Sequence, residues 1–131
     1  DVEPRIAMLS FSSFGSARHP FSEKVAKATR LVKEMRPDLN VDGEMQVDLA
    51  FDLDLRERVY NFSDLKGRAN VLIFPSLEAG NIAYRLMARL GGAEAIGPIL
   101  VGLEKAVHVL QRHCDVETIV RMSAIAAADA E

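Results

Sequence analysis

The run Asn70-Val71-Leu72-Ile73-Phe74-Pro75 constrains this chain most. It is apolar and β-branched without the alternation of a half-exposed strand, the pattern of a strand buried on both faces of a parallel sheet. Parallel strands need crossover helices, and one is predicted at once. Ser76 suits its N-cap, Ala79, Ile82, Ala83, Leu86, Met87 and Leu90 fall on one face, and Gly91-Gly92 closes it. Residues 5–10 read as a second buried strand. A helix entered at Pro20, with Ser22 as N-cap, places Val25, Ala28, Thr29, Val32 and Met35 on its apolar face and ends at Pro37. Leu39 to Val41 reads as a short strand, Asp42-Gly43 as a turn, and residues 95–101 as a strand around Gly97-Pro98. Asp115 suits the cap of a last helix, with Val116, Ile119, Val120, Ser123, Ala127 and Ala130 facing inward. Strand and helix alternate, which argues for an α/β sheet. Met45 to Val59 fits two patterns: Val47, Leu49, Phe51, Leu53 and Leu55 alternate like a strand, yet Val47, Ala50, Phe51 and Leu55 also trace a helix with Arg56 and Arg58 near its end. The local pattern favours the strand.

A chain of 131 residues suits one domain with a real core. Its 16 basic and 19 acidic residues show no basic block, which argues against a nucleic-acid surface. No apolar run approaches the ~20 residues that span a bilayer. Cys114 is the single cysteine, so no internal disulfide can form and a reducing, cytoplasmic setting is expected. The chain starts at Asp1 without a Met, and we expect a piece of a longer protein.

Few residues suggest chemistry. His19, His108 and His113 form no metal-ligand pattern with Cys114, so no metal site is expected, and Cys114 reads as a small packed residue. The loop S-F-S-S-F-G-S over 10–16 lies between a strand and a helix N-terminus. It reads either as a backbone cradle for phosphate or as a flexible connection. Gly80 and Asn81 are poor helix formers in the opening of the helix after the central strand, where open α/β sheets collect ligands. Arg85 and Arg89 are one turn apart, and Lys105 and Arg112 flank the apolar run 106–110.

The runs D-G-E-M-Q-V-D-L-A (42–50), K-G-R-A-N-V-L-I-F-P-S-L-E-A-G-N-I-A-Y-R-L (66–86) and G-G-A-E-A-I-G-P-I-L-V-G-L-E-K (91–105) resemble the C-terminal half of phosphotransacetylases, nearly end to end. The resemblance implies a three-layer α/β/α sheet of the isocitrate-dehydrogenase-like type. Residues 1–131 would be the C-terminal part of a two-lobed domain roughly twice as long. It also implies that 42–58 is largely helical, against the local strand pattern.

Over 107–118 the family pattern reads Asp-Leu-Ser-Arg-Gly, followed by an Asp. Its Ser and Arg meet CoA and acetyl phosphate, and the Asp is proposed to help deprotonate the thiol. Here Gln111 stands for the Ser, Arg112 is retained, His113 stands for the Gly and Thr118 for the Asp, while Ala106 replaces a Pro. No catalytic residue is therefore assigned, since a thiol of pKa ~8.5 is left without an evident base.

These departures, with Val-His-Val-Leu at 107–110, resemble the phosphotransacetylase-like C-terminal domain of large bacterial malic enzymes. That resemblance implies a regulatory domain that binds acetyl-CoA or CoA as effector and lacks transferase activity. It would be fused to an oxidoreductase domain using NAD(P) and a divalent metal to decarboxylate malate, in a homo-oligomer. Arg112 would hold a phosphate or the thioester carbonyl, with Asn81, Tyr84, Arg85 and Lys105 as further binding residues. The alternative is an active phosphate acetyltransferase.

Overall fold

The structure, a computed structural model, describes residues 2–130. The chain divides into two compact units, Asp1–Ala83 and Tyr84–Glu131. The first holds β1 (Arg5–Leu9), α1 (Pro20–Met35), β2 (Asn40–Met45), α2 (Val47–Phe51), α3 (Leu53–Val59) and β3 (Val71–Ile73). The division falls within α4 (Leu77–Leu90), and the second unit ends in α5 (Val116–Asp129).

The three strands form a parallel sheet in the order β2-β1-β3. Successive side chains of β1 point to opposite faces, and each face meets its own helices. Met8 joins Val25 and Val41 beneath α1, with Ile6, Ala28 and Val32 packed around them. Ala7 and Leu9 join Met45, Leu49, Ala50, Leu65 and Ala69 on the other side, where α2 and α3 lie, with Leu72 and Phe74 from β3 and its end. Helices thus cover both faces of the sheet, which is the expected α/β/α layering.

His19, not Ser22, caps α1: its Nδ1 accepts from the Phe21 amide, and Pro20 takes the first helical position. The Ser22 hydroxyl instead donates to the carbonyls of Ala17 and His19. Val25 and Thr29 are buried as the pattern requires, Thr29 bonding back to the Val25 carbonyl at 2.9 Å, but Met35 lies exposed. Asp42-Gly43 is no turn. Both residues lie inside β2, Gly43 facing Met8, and the register then shifts so that Leu9 pairs with Met45. The irregularity turns the Glu44 side chain toward the serine loop. After β2 the chain is helical, as the resemblance implied, but in two pieces. Asp52 ends α2 and caps α3 by accepting from the Leu55 amide at 2.8 Å.

Asp42 is a buried carboxylate with every oxygen engaged. Lys33 Nζ donates to Oδ1 at 2.7 Å, and the Ser63 hydroxyl and Asp64 amide donate to Oδ2 at 2.8 Å each. Lys33 also reaches Asp64 at 2.8 Å. Burial pulls the Lys33 pKa down, but the hydrogen bonds to Asp42 and Asp64 outweigh it and leave it raised. The hydrogen bond from Lys33 holds the Asp64 carboxyl below its ordinary range. The unfolded chain therefore protonates first at this residue, and the contribution of Asp64 is complete above about pH 4 and lost as pH falls through the folded value. Because Asp64 is mostly exposed, Asp64→Asn should cost well under ~1 kcal/mol. Urea unfolding curves of variant and parent should differ near neutrality and converge below the carboxylate range.

No strand forms over residues 95–101. Gly97 sits at φ 133°, Pro98 offers no amide to a ladder, and the second unit holds no described strand to pair with. Ser76 does cap α4 through the Ala79 amide, and Asp115 caps α5 through the Thr118 amide. On α5, however, Met122 is the buried residue, with Thr118, Arg121, Ile125 and Ala126 half-buried beside it. Val116, Ile119 and Val120 are exposed, so the covered face is rotated from the expected one. No residue of α4 is fully buried, and Ile82, Leu86, Met87 and Leu90 are exposed. Among the described residues no helix is long and apolar enough to cross a membrane.

Candidate functional site

The serine loop is neither a phosphate cradle nor a slack connection. Ser12 and Ser13 are buried, and the loop closes on Glu44. The Ser12 hydroxyl and the Gly15 amide both donate to Glu44 Oε1, at 2.8 and 2.7 Å, while the Phe14 amide donates to the Glu44 carbonyl at 2.8 Å. The Ser13 hydroxyl accepts from the Gln46 amide and the Ser12 hydroxyl from the Ala17 amide. A carboxylate of the chain itself thus occupies the position an anion would take. The signal was present in the sequence only as a glutamate more than thirty residues downstream, and nothing local tied it to the loop.

At the carboxyl ends of β1 and β3 the first unit has an apolar cleft of about 210 Å³ between Phe11, Phe21 and Pro75. Lys24 at its rim donates to the Pro75 carbonyl at 2.5 Å. None of the five candidate binding residues lines it.

The second unit carries a cleft of about 130 Å³. Its polar groups come from Tyr84 on α4, from Gln111, His113 and Cys114 in the loop before α5, and from Thr118 in the first turn of α5. Val109, Leu110 and Ala95 give it apolar walls. No aspartate, glutamate, lysine or arginine lines it. Of the candidate residues, Tyr84 alone does. Arg85 follows it on α4, and Asn81 lies one turn earlier on the same helix, within the first unit. Lys105 and Arg112 are exposed and lie outside the lining, although both sequence neighbours of Arg112 belong to it. Motif matching had pointed to Arg112. Gln111, His113 and Thr118 stand out in the sequence only as departures from the family pattern, and their convergence depends on how the loop and α5 fold together.

The nearby carboxylates are engaged elsewhere. The hydrogen bond from the Thr118 amide holds the Asp115 carboxyl below its ordinary range. Arg121 binds Glu94 through both terminal nitrogens and Glu117 at 2.6 Å, which raises the guanidinium pKa and, through the same hydrogen bonds, lowers that of Glu94. These groups surround a separate cleft of about 170 Å³. The His108 side chain is buried, neither ring nitrogen finds a hydrogen bond, and Nε2 lies 3.4 Å from Asp129 Oδ2. Among the described residues no group of three or more His, Cys, Asp and Glu could hold a metal ion.

The family described as "Phosphate acetyl/butaryl transferase" matches residues 1–127, a span that includes every residue of the cleft. The chain is 51% identical over 130 residues to the phosphate acetyltransferase of Bacillus subtilis, covering 99% of this chain and 40% of that protein. It is equally similar, at 51% over 130 residues, to the phosphate acetyltransferase of Acetivibrio thermocellus, with 99% and 39% covered. Among solved structures, the EutD phosphotransacetylase from Staphylococcus aureus superposes with a TM-score of 0.92 at 42% identity, covering 98% of this chain and 40% of that one. A phosphotransacetylase from Streptococcus pyogenes gives 0.91 at 44% identity, with 97% and 39% covered. The chain thus spans about 40% of the length of the curated relatives it matches.

These relatives overturn the expectation of a regulatory malic-enzyme domain with oxidoreductase chemistry, and they give no support to a malic-enzyme partner domain. That expectation gave a few departures at 106, 111, 113 and 118 more weight than a match running the length of the chain.

Proposed function

Because the chain belongs to the phosphate acetyl/butyryl transferase family, we propose that it is part of a phosphate acetyltransferase, moving an acetyl group between the thiol of coenzyme A and phosphate. What supports the reading is the 51% identity to a phosphate acetyltransferase over nearly the whole chain. The cleft in the second unit agrees with it chemically: small, polar and free of carboxylate, lysine and arginine, it suits the thiol end of CoA. Acetyl-CoA or CoA is then a substrate and not an effector.

In this proposal Arg112 binds phosphate oxygens, for which a guanidinium makes strong charge-assisted hydrogen bonds. Tyr84 borders the reacting groups, and Asn81, Arg85 and Lys105 add contacts to the cofactor. The intact protein is proposed to be a homo-oligomer, with the exposed Ile82, Leu86, Met87 and Leu90 as apolar surface for it.

The test is formation of acetyl-CoA from acetyl phosphate and CoA by the intact protein. Turnover on the order of ten per second, a common enzyme value, is expected. Arg112→Ala should raise KM about ten- to a hundredfold, equivalent to ~1.5–3 kcal/mol of lost charge-assisted hydrogen bonding. Absence of turnover by the unaltered protein would refute the proposal. An unchanged KM in the variant would remove Arg112 from the site.

A further inference from the structure

Resting on the transferase reading, we propose that His113 is the general base that takes the proton from the CoA thiol. The reaction needs such a group, because the thiolate and not the thiol is the nucleophile. The cleft supplies few choices. Its polar lining consists of Tyr84, Gln111, His113, Cys114 and Thr118. Amides and aliphatic hydroxyls do not accept protons near neutrality. Phenols and thiols as classes lose theirs only well above it. Histidine is the one side chain whose class changes charge between pH 5 and 8, and His113 is the only one in the lining.

The alternatives outside the lining are occupied. Asp115 holds the Thr118 amide at 2.8 Å and faces the neighbouring cleft, where its lowered pKa makes it a poorer base. Glu94 and Glu117 are both bound by Arg121. His108 is buried against Asp129 and does not line the cleft. His113 itself is exposed, so CoA can reach its ring from solvent.

The step balances with the substrates alone. A ring nitrogen of His113 takes the thiol proton, and the thiolate sulfur attacks the carbonyl carbon of acetyl phosphate. A C–S bond forms as the bond from that carbon to the bridging oxygen breaks. The imidazolium then returns its proton to the departing phosphate, and histidine is regenerated.

The experiment uses the intact protein and its His113→Gln and His113→Ala variants. General-base loss should lower kcat by roughly 10²–10⁴-fold in both. CoA binding by calorimetry should be unchanged, and the acid limb of kcat/KM should flatten. Added imidazole should restore part of the turnover of His113→Ala, which a merely structural histidine would not allow. Near-parental kcat with an unaltered pH profile overturns the assignment. So does loss of activity accompanied by loss of CoA binding, which would make His113 a packing residue. If the unaltered protein makes no acetyl-CoA, the transferase reading itself has failed, and that outcome is read before any variant is made.

Discussion

Arg56→Ala should lower the stability of this protein by about 3–5 kcal/mol, since it combines stranded buried acceptors with a new cavity. Arg56 is among the most buried side chains of the chain. Its guanidinium donates to the Leu49 carbonyl at 2.8 Å, to the Ala50 carbonyl at 3.4 Å and to the Gly67 carbonyl. One planar group thus bridges the end of α2 and the loop before β3, beside the hydrogen bond from the Ala69 amide to the Ala50 carbonyl at 2.9 Å that also joins them. Burial pulls its pKa below the ordinary arginine value, but an arginine so placed stays charged. Removing it takes that donor from the Leu49 and Gly67 carbonyls, while the Ala50 carbonyl keeps the Ala69 amide at 2.9 Å. Arg56→Lys should recover only part of the loss, because an ammonium is a point donor and lacks the fork that reaches both sides. Urea unfolding midpoints of the parent and both variants provide the check. A loss below about 1 kcal/mol for the alanine variant would mean that water takes over these carbonyls.

Gly43→Ala should be comparably damaging, at about 2–6 kcal/mol from backbone strain and overpacking together. Gly43 has φ 145°, a region that side chains with a Cβ rarely enter. A Cβ there would lie 2.5 Å from the Met8 carbonyl oxygen and 2.8 Å from Met8 Cβ. Met8 lies in the central strand, paired to Gly43 across the sheet, so neither atom can swing aside. Gly15→Ala is the natural control. Gly15 also has positive φ, at 83°, but nothing lies within 4 Å of an added Cβ. It should cost only the ~1–2 kcal/mol of a left-handed backbone. Thermal unfolding of the two variants side by side separates the terms, and equal losses would show that the contact with Met8 is not the cause.

Both residues show how the candidate site and the core escape a reading along the chain. In the sequence Arg56 stands near the end of a possible helix, and Gly43 reads as half of a turn. Each is decided by a partner distant in sequence: Gly67 for the first, Met8 for the second. The cleft is a similar case. Gln111, His113 and Thr118 stood out as departures from a family pattern, and that comparison led to the wrong functional class. Only their convergence with Tyr84 around one small volume suggests chemistry for them.

The sequence by itself determined the α/β class, the two apolar strands β1 and β3, the caps at Ser76 and Asp115, the stop at Gly91-Gly92 and the family. These follow from short-range forces: β-branched runs favour extended backbone, polar side chains cap orphan amides, and glycine ends helices. β3, however, lies at the edge of the described sheet with Ile73 exposed and is not buried on both faces as expected. Tertiary structure alone decided that the serine loop closes on Glu44 and that residues 95–101 stay irregular. It also decided that α5 buries Met122 and not Val120, and that an arginine lies in the core. The physical reason is the same each time. A hydrogen-bond donor, a ladder partner or an apolar face finds its satisfaction in whichever group the fold brings within a few ångströms, and spacing along the chain carries no record of that distance.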